Sequence, residues 1–452
     1  MSDSHLFSLN IPDTDKPRIV VIGGGFGGIN LIRNLPDDFQ VVLIDRYNYH
    51  TFQPLLYQVA TAGLEPDSIA GPLRKIINRK KNLYFRMLRV NSVSPDKKMI
   101  TTRVGSLKYD ILVIASGAKM NFFNNKSIAE NAFPLKQITH ALDLRSHLFQ
   151  QFEKLELMQR EEMKENHFTF VVVGGGPTGV EICGALAELK SVVLPKDYPD
   201  LEIEKVKIYL IEGQDRVLAG MSESSSRRAQ RYLEKLGVSL ILNCMTEHYD
   251  GEVVKLNNGK EIKTDTLIWA AGVKGNIING FGKESIYKGK LRVNNENQVI
   301  YNSENHQFYN EIFAIGDVAH METKGYPDGL PGLAQVAIQQ GKHLAVNLKR
   351  LYKNKTLKPF HYFNKGVMAT IGRNRAVADL PGNTKLSGFI GWMVWMVVHL
   401  LFLIGFRNKV IALANWIWNY ITYDRGIRLI LRPSTKEKGI MSHDMKEEMI
   451  ES

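Results

Sequence analysis

An α/β chain whose parallel-strand unit is laid down twice, followed by a helical segment, is what three observations predict. Two glycine clusters share one spacing; each stands between a strand-like apolar run and a helix-like run; and each is followed by a second apolar strand ending in an acid. The first copy is RIVVIGGGFGGINLIRNL, 18–35. Residues 19–22 suit a buried parallel strand, Gly23, Gly25 and Gly28 follow at G-x-G-x-x-G spacing, and 26–35 reads as a helix ended before Pro36. A second strand, 40–44, finishes in Asp45, near the distance at which an acid meets an adenosine ribose. The glycines serve a tight turn, backbone approach to a pyrophosphate, and close helix–strand packing. The helix N-terminus adds free N–H groups and partial positive charge. A glycine cluster alone also marks ordinary turns, but in this setting it predicts a Rossmann-like dinucleotide-binding domain. Arg46 would lie along the adenine or pair with phosphate.

The second copy is FTFVVVGGGPTGVEICGALAEL, 168–189, where Gly174, Gly176 and Gly179 repeat the spacing. Its second strand, KVKIYLIE, ends in Glu212, with the connection lengthened by 191–204. Both copies also have a later strand with a small-residue end. One runs 111–115, closing on Ala115 before Ser116-Gly117-Ala118; the other is TLIWAAGV, 266–273, with Gly272. Such turns let backbone approach a cofactor. The repeat predicts two nucleotides on two domains of one type. Glu212 favours NADH over NADPH, since a carboxylate accepts a ribose 2′-OH and repels a 2′-phosphate.

Composition bounds the rest. The 452 residues are 44% hydrophobic and carry a formal net charge of +12, enough for two or three cored domains and suggestive of an anionic partner. No zinc-finger, homeodomain or RNA-recognition pattern accompanies the charge, so lipid ranks above nucleic acid. The two cysteines, Cys183 and Cys244, form no C-x-x-C pair, which predicts neither a redox disulfide nor a metal site. The first residues lack the basic start and apolar core of a secretory signal, so translocation is not expected.

Between the two copies, HTFQPLLYQVATAGL (50–64) suits a loop and short helix over a ligand, or a plain core segment. LYFRMLRVNSVSPDKKMITT reads as small antiparallel strands. NEIFAIGDVAH (310–320) runs a strand into Gly316-Asp317, where a carboxylate could take a ribityl hydroxyl. A helix is predicted over 331–347, started at Pro331, with Gln335 and Gln339 on one side.

These pieces together resemble the two-dinucleotide-binding-domain flavoproteins, and in detail the type II, non-proton-pumping NADH:quinone oxidoreductases. The matching stretches are NYHTFQPLLYQVATAGL, GGGPTGVE, AQVAIQQG and GWMVWMVVHLLFLIGFRN, across 17–432. The resemblance implies an FAD domain of 17–130 and 286–350 with an NADH domain, 131–285, inserted into it, and a C-terminal region of 351–432. FAD would be held through Gly23, Gly25, Gly28, Asp45, Arg46, Ala115, Asp317, Gln335 and Val336, and NADH through Gly174, Gly176, Gly179, Glu212 and Gly272. Gln335 and Gln339 would meet the quinone headgroup, their alternative being helix capping and packing. The helix carrying them would aim backbone N–H groups at the reduced flavin. Glu181 would tune charge or relay protons, its alternative being a plain helix-dipole acid. Lys365 is expected to be a solvated surface lysine. No metal site is implied.

From 386 to 406 no formally charged residue occurs, and Trp392, Trp395, His399 and Phe402 fall on one helical stripe. A second segment carries Trp416, Trp418, Tyr420 and Tyr423, and Arg407, Lys409, Arg425, Arg428 and Arg432 lie around the two. Residues 386–432 are therefore expected to lie as helices on an anionic membrane surface, at the cytoplasmic face of the cell membrane, rather than to span it or to form a dimer interface. They would anchor the chain without entering the chemistry. Residues 433–452 are expected to be a disordered tail, and a homodimer is left open. Two competing readings are a sulfide:quinone oxidoreductase, which needs flavin-flanking cysteines, and a soluble NAD(P)H-dependent reductase, which needs no such C-terminus.

Overall fold

The computed structural model describes residues 8–78, 81–302, 304–305, 307–422 and 427–431. Tyr423, Arg425, Arg432 and the expected tail lie outside them. In chain order the elements used below are β1 (Arg18–Ile22), α1 (Phe26–Asn34), β2 (Gln40–Asp45), α2 (Leu56–Ala60), β3 (Leu83–Met87), β4 (Ile111–Ile114), β5 (Phe133–Pro134), α3 (Ile138–Leu157), β6 (Thr169–Val173), α4 (Pro177–Glu188), β7 (Lys207–Ile211), α5 (Glu223–Lys235), β8 (Val238–Ile241) and β9 (Thr266–Trp269). Then come β10 (Gln298–Asn302), β11 (Gln307–Ala314), α6 (Ala334–Tyr352), β12 (Val367–Thr370), β13 (Ala376–Leu380), β14 (Thr384–Ser387), α7 (Gly388–Phe402) and α8 (Phe406–Thr422).

The chain divides into two compact units: 1–50, 71–119 and 273–364 form the first, and 51–70, 120–272 and 365–452 the second. The second nucleotide-binding copy is thus inserted into the first, with the chain passing over at 119–120 and 272–273 rather than at 130–131 and 285–286. Residues 51–70 also leave the first unit, because α2 buries Leu56, Tyr57, Val59 and Ala60 in the second.

The first unit holds a six-stranded sheet in the order β10-β11-β4-β1-β2-β3. Strands β4, β1, β2 and β3 pair in parallel, with Val20 facing Val42 and Leu112. Their near-continuous apolar runs fit strands covered on both faces. Leu83–Met87, expected to be antiparallel, extends this parallel sheet instead, because Val41–Asp45 offers it a free edge in register. The remainder of that stretch does form an antiparallel meander over Val90–Ser94 and Met99–Thr102. Helix α6 begins at Ala334, three residues after Pro331, since Leu333 is still extended at φ −117°, ψ 142°.

The second unit repeats the plan with five parallel strands, β5-β9-β6-β7-β8. Beyond α4 the helix continues through a π-helical turn, Leu189–Val193, and a short helix, Leu194–Asp197, which accounts for the long connection. The three-stranded antiparallel sheet β12-β13-β14 leads into α7 and α8.

Candidate functional site: two nucleotide cradles and a cavity behind the second

The central strand of each parallel sheet ends in its glycine turn, at the point where strand order reverses and crevices open. The two turns match bond for bond. Gly23 N donates to Ile44 O at 2.9 Å, and Gly174 N to Ile211 O at 2.8 Å. Ala115 N donates to Ile22 O and Ala270 N to Val173 O, both at 2.8 Å. The first glycine of each turn has φ of +107° or +110°, a region side chains rarely adopt. A Cβ there would stand 2.3 Å from Ala115 O in one copy and 2.8 Å from Ala270 C in the other. On Gly28 or Gly179 it would fall 2.0 or 1.8 Å from the carbonyl oxygen of Gly23 or Gly174. Gly25 and Gly176, by contrast, have nothing within 4 Å of that position. Two glycines therefore close each turn, and the middle one faces open space at a helix N-terminus.

The acids sit alike as well. Asp45 accepts from Gly24 N at 2.6 Å and Tyr47 N at 2.8 Å; Glu212 accepts from Gly175 N at 2.5 Å and Gln214 N at 2.8 Å. Burial holds the Asp45 carboxyl above its ordinary range despite those amides. The Arg46 guanidinium lies 5.0 Å from the Tyr47 ring centroid. Gly117 and Gly272 turn the later strand ends with φ of +71° and +72°.

The structure adds two residues to the first cradle that motif spacing did not single out. His50 is buried, its Nδ1 lies 3.2 Å from Gly24 O, its ring stands edge-on to Phe26, and its Nε2 has no partner. Burial pushes its pKa down to about 4, so the ring is neutral. Gln340 accepts from Gly316 N at 2.7 Å and so ties the turn carrying Asp317 to α6. Gln340 falls on the buried face of α6, whereas the i, i+4 spacing marks the Gln335–Gln339 side. Gln335 is half-buried, and Val336 is part of the hydrophobic core. Gln339 clasps Phe363, donating to its O at 2.9 Å and accepting from its N at 3.0 Å. Lys365 is exposed and lies 5.8 Å from the Phe402 ring centroid.

Beyond the second glycine turn, the second unit holds an open cavity of about 410 Å³ whose walls include Tyr57, Gln58, Glu181, Thr370, Trp395 and Trp416. Glu181, in the second turn of α4, is buried and takes only a long 3.5 Å bond from Thr370 N. Trp395 Nε1 faces it without closing a well-formed bond. Burial drives the Glu181 pKa up to about 8, so the group is protonated at neutral pH. The wall is completed by the π-helical turn, through Ser191, Val192 and Val193.

The aromatic stripe of α7 turns inward at Trp395 and His399, while Phe402 stays exposed. Trp395 is 2% exposed, stacks on His399 at 4.1 Å and lies 5.8 Å from Trp416. Trp392, Trp395, Met396, Trp416, Asn419 and Tyr420 of these helices thus line the cavity. No helix among the described residues is long and apolar enough to cross a membrane. None of their His, Cys, Asp and Glu side chains cluster as metal ligands, and both cysteines are buried and free.

Residues 17–341 match the pyridine nucleotide-disulphide oxidoreductase family, and 364–423 match the NDH2 C-terminal domain. A type II NADH:quinone oxidoreductase of Mycobacterium tuberculosis is 34% identical over 91% of this chain and 88% of its own length. The chain belongs to the type II NADH:quinone oxidoreductases. An internal alternative NAD(P)H-ubiquinone oxidoreductase from mitochondria of Solanum tuberosum is 31% identical over 92% of the chain and 89% of its own. The structure of NDH2 from Plasmodium falciparum in complex with NADH shares the fold, with a TM-score of 0.83 over 92% of this chain and 100% of that one, at 23% identity. A sulfide:quinone oxidoreductase from Aquifex aeolicus shares it less closely, at a TM-score of 0.67 over 90% of this chain and 96% of its own, with 20% identity. The chain is accordingly an oxidoreductase with FAD and NADH as its cofactors. The cradles fit them: open space over Gly25 and Gly176, acids at both strand ends, and an orphaned His50 Nε2 beside the first turn.

Proposed function

We propose that this chain oxidises NADH and reduces a lipid quinone at a membrane surface, without moving protons across it, as a point where electrons join a respiratory chain. Bound FAD supplies the two-electron chemistry, accepting hydride from NADH and releasing electrons to the quinone. Gly23, Gly25, Gly28, Asp45, Arg46, Ala115 and Asp317 would hold FAD, together with Gln335 and Val336 at the start of α6. Gly174, Gly176, Gly179, Glu212 and Gly272 hold NADH. Gln335 serves as the quinone contact. Glu181 keeps a proton on its carboxyl oxygen at neutral pH, in a cavity walled in part by tryptophan.

The observation that carries the membrane half of this reading is the inverted polarity of α8. Three of its polar side chains point inward: Asn408 donates to Ala70 O, Trp416 Nε1 to Gln58 Oε1 and Asn419 to Gly63 O, at 2.7, 2.8 and 3.0 Å. Its outward face is Phe406, Val410, Leu413, Ile417 and Ile421, spaced three and four apart, with Ile417 51% and Ile421 72% exposed. A helix dissolved in water carries the opposite arrangement. An exposed apolar stripe of this length suits the headgroup–acyl boundary of the cytoplasmic leaflet, where lipid quinone resides. The two buried cysteines give no support to sulfide chemistry: Cys183 lies inside α4 with its thiol pKa raised by burial, and Cys244 bonds Asn257.

The test is partition. Ile417→Glu with Ile421→Glu should keep the FAD spectrum and the oxidation of NADH by a small hydrophilic quinone, yet lose binding to phospholipid vesicles and reduction of quinone held in them. A double variant that still binds and reduces in vesicles would refute the surface reading.

A further inference from the structure

The charges expected to draw the C-terminal helices to lipid are largely engaged elsewhere. Arg407 pairs with Asp67 at 3.5 Å, Lys409 donates to Leu401 O at 2.8 Å, and Arg428 pairs with Asp197 at 2.9 Å. A second group of basic side chains, Arg231 and Lys235 without such engagement and Arg228 beside them, lies on α5, a helix of the nucleotide-binding unit. Ser225, Ser226, Ala229 and Leu233 form its buried face. Along one edge of that face, Arg228 donates to Ser387 Oγ. One turn on, the Tyr232 hydroxyl lies 3.6 Å from where a Cβ on Gly388 would stand. Those two contacts fix the edge of α5 beside the residues from which α7 springs, where Phe389 and Ile390 are 52% and 65% exposed.

Arg231 and Lys235 follow Arg228 by three and seven residues and so share this edge. Both are exposed, and neither forms an ion pair among the described residues. Lys385, exposed on β14, stands opposite Asp379 in the strand pairing. Arg227 lies further round, paired with Glu223 at 3.3 Å, and Glu234 accepts from Gln230 at 2.9 Å. Glu223 is thus taken up by Arg227 and Glu234 by Gln230, which leaves Arg231 and Lys235 without an acid partner among the described residues.

Resting on the membrane reading above, we propose that Arg228, Arg231 and Lys235 bind anionic phospholipid headgroups beside the base of α7. Charge complementarity selects this partner. The exposed apolar residues at the start of α7 place acyl chains next to the edge, so the charges one helix away meet phosphate. This gives the nucleotide-binding unit its own lipid contact, and makes attachment selective for acidic membranes rather than merely apolar.

The test uses the full-length holoenzyme with Arg231→Gln and Lys235→Gln combined, since neither side chain makes a contact within the protein that the fold needs. The FAD spectrum and NADH oxidation with a soluble quinone should match wild type, showing an intact fold. On phosphatidylcholine vesicles carrying phosphatidylglycerol, binding should weaken roughly tenfold or more, at about fivefold per basic residue. On pure phosphatidylcholine it should not change. Arg227→Gln, whose guanidinium is already paired with Glu223, should have a smaller effect, and high salt should erase the difference between wild type and the double variant. If wild type prefers the acidic vesicles and the double variant does so equally, the α5 contact is overturned while the membrane reading stands. If wild type binds neither vesicle, the membrane reading fails and takes this contact with it.

Discussion

Glu212 accepts a hydrogen bond from the backbone amide of Gly175 at 2.5 Å, so the acid that ends β7 is fixed against the glycine turn that ends β6. Its other oxygen takes the Gln214 amide, and the carboxylate is held at the mouth of the cradle. A 2′-phosphate brought there would meet like charge. At ~4 Å and an effective dielectric of ~20 the repulsion is about 4 kcal/mol, before salt and solvent reduce it. NADH should therefore be preferred over NADPH in kcat/KM by on the order of a hundredfold. Glu212→Gln should narrow that ratio. Steady-state rates with both nucleotides check it, and unchanged selectivity in the variant would remove Glu212 from this role.

The pH dependence of stability should carry the mark of Glu181. Its pKa is near 4.5 when free and is pushed up to about 8 in the fold. The folded state therefore binds the proton more tightly, and the stability this contributes is complete below pH 4.5 and lost as pH rises through 8. The loss should be on the order of a few kcal/mol. Thermal unfolding of wild type and Glu181→Gln across this range should show the variant gaining on wild type as pH rises. Parallel curves would mean that Glu181 is ionised in the fold.

Gln335 and Gln339 should separate. Gln335→Leu should slow flavin reoxidation by quinone more than flavin reduction by NADH, as read by stopped-flow absorbance. Gln339→Ala should instead cost about 1–2 kcal/mol of stability, since it loses two bonds to Phe363. Equal slowing of both half-reactions by Gln335→Leu would make it part of the flavin pocket rather than a quinone contact.

Gly341→Ala inverts an ordinary rule. Alanine in a helix interior normally gains about 1 kcal/mol over glycine. Here the added Cβ would stand 2.4 Å from Gly27 O and 3.0 Å from Leu31 N, on α1. Prising α6 from α1 should cost about 1–3 kcal/mol and lower the melting temperature of the holoenzyme. A higher melting temperature would show that the two helices can yield.

Much of this site was legible because its signals are local. Gly23, Gly25, Gly28 and Asp45 lie within one strand–turn–helix–strand unit, so spacing alone predicts the cradle, and the copy around Gly174 repeats it. His50 and Gln340 were not legible: each acts through a backbone atom distant in sequence, Gly24 O and Gly316 N, which periodicity does not see. The inward contacts of the C-terminal helices were not legible for a related reason. Tryptophan at helical spacing marks lipid interfaces and buried walls alike, and only the partners of Trp395 and Trp416 decide between them. The inversion of α8 escaped as well, because nothing in its own sequence says that Asn408 and Asn419 meet the backbone of residues 63–70.

In the function proposed above, electrons from NADH pass through FAD to a quinone held in lipid. Anaerobic stopped-flow absorbance of the holoenzyme on vesicles tests it most directly. NADH should bleach the oxidised flavin band, and mixing with vesicles that contain a long-tailed quinone should restore it within turnover time. A flavin that NADH leaves unbleached, or one that recovers with soluble quinone but never with the vesicle-held one, would contradict the account.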